Sequence, residues 1–210
     1  MIRLILQHYW ERVPKIAFLS VLIGFLVPST AMAHLVNSGV GPFYDGIAHF
    51  FVSPEDLVLV VTLALFGGLS GRKAAKLLVV SLPVAWLAGA AIGSHVASLN
   101  APEFLPAVCI LFAGLLLAIN PKVPRIVPAI FASMLGLVHG LLNGQAMATT
   151  NTPFLAAVGI ISALGLVGNL LGALAVSLKA NWQMIAARVL GSWAAAIGLL
   201  SIAWNLRPGP

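Results

Sequence analysis

The sequence predicts an all-α, polytopic transmembrane bundle of about six spans behind an N-terminal signal peptide. Mean hydropathy is +1.06. Only 8% of the 210 residues are charged, against roughly a quarter in soluble domains. The apolar residues come in runs of about 18 or more, enough to cross a hydrocarbon core of about 30 Å at about 1.5 Å per residue. One cysteine, Cys109, excludes an intrachain disulfide framework and any CxxC metal or redox motif. A pI near 10.1 would suit nucleic acid, but the bases are scattered through short loops and form no patch. The partner this pattern implies is a lipid bilayer.

The elements follow in order. Arg3, Arg12 and Lys15 precede the apolar stretch "IAFLSVLIGFLV", then Pro28 and the small-residue site Ala31-Met32-Ala33. A basic region, a short apolar core and an A-x-A ending make residues 1–33 a secretory signal peptide. Its removal would make His34 the first residue of a single transmembrane domain, 34–210, and leave eight bases and four acids. Residues 42–52 suit a helix too short to cross, read as an interfacial or re-entrant segment. Spans are expected near 54–69, 73–96, 102–120, 124–148, 153–178 and 183–206. Four of them begin with proline at or near the first turn, where a missing N–H costs nothing. Pro83, Pro106 and Pro128 are expected to kink their spans. Gly89 and Gly93, with Gly165, Gly168 and Gly172, offer small-residue faces for helix contact, and Asn169 an interhelical hydrogen bond.

Loop charge sets the orientation. Arg72, Lys73, Lys76, Lys122, Arg125, Lys179 and Arg188 fall on one side, which the positive-inside rule makes cytoplasmic. Only Arg207 breaks the pattern. The mature N-terminus then faces outward, as a cleaved signal requires.

Asp45, Glu55, Asp56 and Glu103 all fall on the outer side, together with His34, His49 and His95. An anionic, imidazole-rich mouth favours a metal cation through both its field and its ligand type. Asp45 and His49 are four apart and share one face of a helix, where they can chelate one ion or merely hydrogen-bond. Ser53-Pro54-Glu55-Asp56 reads equally as a metal-ligating pair of acids and as a helix start, with Ser53 as N-cap and the acids in the first turn. Deeper, "GLVHGLLNGQ" puts His139 and Asn143 one turn apart on the fourth span. An ionisable side chain there is by default a functional-site hypothesis. Cys109 and Met134 are packing residues that could lend sulfur to this deeper site. His34, with its free α-amine, Asp45, His49 and Asp56 would thus capture metal outside, with Glu55 beside them, and His139 with Asn143 would pass it inward.

At these residues the chain resembles the HupE/UreJ family, small bacterial membrane proteins regarded as nickel or cobalt permeases associated with hydrogenase and urease systems. An H-P-x-x-G-x-D-H-like motif of the family aligns with His49-Phe50-Phe51-Val52-Ser53-Pro54-Glu55-Asp56. His49 matches, Glu55 replaces the family's aspartate and Asp56 its final histidine. An H-G-x-x-H-G-like element is echoed by His139-Gly140-Leu141-Leu142-Asn143-Gly144, with Asn143 at the second histidine. The departures point to a divergent, UreJ-like branch and a harder, more carboxylate-rich site. The resemblance implies a permease of the bacterial inner membrane whose substrate is a divalent transition metal, nickel or cobalt first, copper or zinc by the same donor types. It implies no organic cofactor. No phosphate loop, Ser-His-Asp set or HExxH motif points to an enzyme. The alternative is a non-transporting assembly factor that delivers metal to a metalloenzyme or metallochaperone partner.

Overall fold

The computed structural model describes residues 39–96, 101–148 and 153–207. The expected signal peptide and His34 lie outside them. The described residues form seven helices and no strand: α1 (Pro42–Val52), α2 (Pro54–Leu69), α3 (Arg72–His95), α4 (Leu105–Ile119), α5 (Val127–Met147), α6 (Pro153–Ser177) and α7 (Asn181–Asn205). All six expected spans are present as helices. By length and composition α3, α5, α6 and α7 can each cross a membrane, and α1 with α2, bent by 75° at Ser53, make a fifth crossing if taken as one broken span. At 15 residues α4 reaches only about 22 Å. This is a multi-pass membrane protein.

Two expected starts shift inward. Leu105 N–H bonds Pro102 and Val127 N–H bonds Pro124, both at 2.9 Å, so each proline opens a turn ahead of its helix. Pro106 and Pro128 consequently sit within the first two helical positions, where there is no upstream carbonyl to lose, and they do not kink their spans as expected. Of the three, only Pro83 lies inside its helix.

Glycine sets the tightest contacts. On α5, Gly136, Gly140 and Gly144 face Leu82, Trp86 and Ala90 of α3 in steps of four, so these two helices run parallel with their backbones touching. A Cβ on Gly140 would strike the Trp86 carbonyl oxygen. Ser81 on α3 ties the pair, its hydroxyl 3.3 Å from the Ala129 carbonyl oxygen. On α6, Gly159 and Ala156 meet Phe43 and Gly46 of α1 in antiparallel order, while Gly168 and Ala175 meet Val60 and Gly68 of α2 in parallel order. α4 and α7 pair antiparallel through Gly114, Gly191 and Gly198. Asn169 is exposed, turned away from the helix contact expected of it. The main core gathers Phe50, Leu59, Leu63, Leu82, Trp86 and Leu164 under the bend between α1 and α2.

Candidate functional site

The bend puts a carboxylate where a membrane protein rarely keeps one. Ser53 takes an extended conformation (φ −90°, ψ 95°) and ends α1, its N–H bonding the His49 carbonyl at 2.9 Å. Pro54 then starts α2, which brings Asp56 to its first turn. Ser53 does occupy the N-cap, but its side chain makes no capping bond. Its hydroxyl lies instead 3.4 Å from His49 Nε2.

Asp56 points into the bundle and is only 4% exposed. α5 meets it with two groups one helical turn apart. His139 Nδ1–H donates to Asp56 Oδ1 at 2.8 Å, and Asn143 Nδ2 donates to Oδ2 at 2.9 Å. Since the Asn143 amide must turn its NH2 to the carboxylate, its Oδ1 faces the other way and can only accept. His49 Nε2 sits 3.4 Å from that oxygen and is therefore the protonated nitrogen of its ring. His49, Asn143, Asp56 and His139, all buried, form one chain of hydrogen bonds linking α1, α5 and α2.

The far end of the chain is open. With Nδ1 donating to Asp56, a neutral His139 carries its lone pair on Nε2, which is buried and has no hydrogen-bond partner. A carboxylate that fixes the tautomer and aims the other nitrogen is the orienting arrangement found behind metal-ligating histidines. The Trp86 ring packs against His139, centroids 5.5 Å apart, and its Nε1–H is likewise buried and unpartnered. The Cys109 thiol also borders the imidazole. His139 lies about 12 Å along the axis from Met147 at the C-terminal end of α5, well inside the helix.

The expected site residues are thus divided. His49, Asp56, His139 and Asn143 come together, so the outer and deeper sites expected from the sequence share one network. Asp45, on the same helix as His49, is half-buried, and Glu55 is exposed beside Asp56. His95 is exposed at the end of α3, and Met134, at 59% exposure, faces away from the site. Among the described residues no group of three or more His, Cys, Asp or Glu side chains is arranged to hold a metal ion. Trp86 was not anticipated. Its signal was position: tryptophan favours the two interfaces, and this one sits mid-span on α3.

The profile of the family described as "HupE / UreJ protein" matches residues 21–201. The chain belongs to the HupE/UreJ family. The match takes in the whole network, from His49 on α1 to Asn143 on α5. The chain is also similar to "Protein HupE" of Rhizobium leguminosarum bv. viciae, 26% identical over 151 residues, covering 69% of this chain and 78% of that one. No solved structure matches.

Proposed function

We propose that this HupE/UreJ protein is a permease of the bacterial inner membrane for a divalent transition-metal cation, nickel or cobalt first and copper or zinc by the same donor chemistry. The observation that carries the proposal is the buried Asp56 carboxylate braced by His139 and Asn143, with His139 Nε2 left open. A charge at this depth is expensive unless paired, and beside a neutral His139 a metal cation would supply the pairing. Asp56 orients the imidazole and offsets the charge of the ion, and His139 Nε2 supplies the donor atom. Asn143 holds the carboxylate from the other side, and His49 holds Asn143 in turn. Asp45 and Glu55 line the approach, and the negative field of the two carboxylates draws cations in.

The short donor set supports carriage over storage. Conduction needs an ion bound firmly enough to enter and weakly enough to leave. The basic loops at the opposite end of the bundle support a network near the periplasmic side, with the mature N-terminus outside. A cytoplasmic metalloenzyme or metallochaperone is the recipient this direction implies.

Labelled nickel, cobalt, zinc and copper uptake by cells expressing the protein tests the proposal. Asp56→Ala, at matched accumulation in the membrane, should lower uptake of the transported metal about tenfold or more, equivalent to about 1.4 kcal/mol. Uptake of all four metals no greater than in cells lacking the protein would sink it.

A further inference from the structure

The α3–α5 pair carries a second feature at its opposite end. Because the helices run parallel with Leu82 against Gly136 and Trp86 against Gly140, their N-termini lie side by side, Lys73 level with Val127 and Lys76 with Ile130. Neither N-terminus has a side-chain cap. Two positive helix ends therefore meet, and the sequence adds Lys73, Lys76 and Arg125 at the same place. All three are exposed. None has a carboxylate partner among the described residues, whose acids, Asp45, Glu55, Asp56 and Glu103, belong to the other end of the bundle.

This uncompensated charge opens onto a groove. A space of about 690 Å³ is bordered by Lys73, Lys76, Pro124 and Arg125, and one of about 570 Å³ by Val80, Val84, Ile130 and Met134. Both spaces touch Lys76, Leu77 and Ile126, so a cationic mouth continues into an apolar trough along the two helices. Val80, Val84 and Met134 are about 60% exposed on its walls (65%, 62% and 59%).

We propose that this trough binds an anionic phospholipid, its phosphate held by Lys73, Lys76, Arg125 and the paired helix N-termini, and one acyl chain lying along Leu77, Val80, Val84, Ile130 and Met134. The match is one of shape and charge together. Basic pockets between membrane helices on the cytoplasmic side suit acidic headgroups, and positive-inside loops put this end there. A free anion has no use for an apolar trough about two helical turns long. A second copy of the chain would press two cationic mouths together with no acid to offset either.

The test is native mass spectrometry of the full chain in detergent, offered phosphatidylglycerol and phosphatidylcholine with identical acyl chains. The parent should retain phosphatidylglycerol over phosphatidylcholine by about tenfold or more, and Lys73→Gln/Lys76→Gln/Arg125→Gln should bring the two to parity. Lys122→Gln/Lys179→Gln, which removes cations outside the trough, should leave the preference in place. Val84→Trp fills the trough with every charge intact and should lower phosphatidylglycerol retention, which also covers the case of a triple variant that fails to accumulate. Equal retention of both lipids by the parent, or a preference that survives both trough variants, overturns the proposal. Displacement of the lipid by inorganic phosphate with Val84→Trp silent assigns a free-anion site and overturns it. So does a dimer that the triple variant dissociates.

Discussion

Against α3, helix α5 presents Gly136, Gly140 and Gly144, and the two backbones close on one another. Against α2 it presents His139 and Asn143, and the helices are joined through one carboxylate. The two stripes are a single residue apart, about 100° around the same helix. Their chemistry is opposite. The glycine seam is dry and gains its strength from close van der Waals packing, which has one good arrangement. The polar seam is held by a few directional bonds and contains an unpartnered nitrogen. The first fixes where His139 stands, and the second gives it something to do.

The largest effect should come from the dry seam. Gly140→Leu drives a side chain into the Trp86 backbone, so α3 and α5 must separate. Overpacking of this kind costs about 1–3 kcal/mol where side chains can yield, and backbone yields less. Folded protein recovered by size-exclusion in detergent should fall together with uptake; a normal elution profile would show that the seam is not the rigid support of the site. His139→Ala should do the reverse, leaving recovery near normal while uptake drops about tenfold or more. Because the network is continuous from His49 to His139, metal binding by the purified protein should fall in the same proportion. Binding retained while transport is lost would divide the site in two.

Asn143→His sharpens the distinction between holding and carrying. An imidazole there still has an N–H for Asp56 and adds a second softer donor. The half-saturating metal concentration should fall by a few-fold and the maximal uptake rate with it. An unchanged concentration would remove Asn143 from contact with the ion. Ser53→Ala should be the mildest. The hydroxyl makes no capping bond and sits 3.4 Å from His49, so stability and uptake should stay within about 0.5 kcal/mol, or roughly twofold.

The helices were largely legible from hydropathy, and their ends from proline. The expected 42–52 and 54–69 are Pro42–Val52 and Pro54–Leu69, because Pro42 and Pro54 sit at first helical positions. Where proline stands at the second position, as Pro106 and Pro128 do, a further proline upstream, Pro102 or Pro124, opens a turn that carries the same sequence signal as a helix start. Helical spacing also found pairs on one element, such as His139 with Asn143. It has no means to find partners across elements. Asp56 and His139 are 83 residues apart, and no periodicity reports that the bend at Ser53 turns one toward the other. Asp45 and His49 show the converse: one turn apart on α1, yet His49 faces Asn143 at a separation of 94 residues.

Arg188 of α7 donates Nε–H to the carbonyl of Ala118 at 2.7 Å, near the last turn of α4 and 70 residues upstream. A cation there satisfies one of the carbonyls that every helix end leaves open. α4 is also the shortest of the later helices and packs mainly by its glycine seam with α7. During synthesis, then, α4 leaves the ribosome without its terminal partner and must wait for the whole of α5 and α6 before α7 arrives to close it. α7 is thus the latch for α4, and a chain stopped before Arg188 would be left with an unlatched helix too short to hold its place in the bilayer alone.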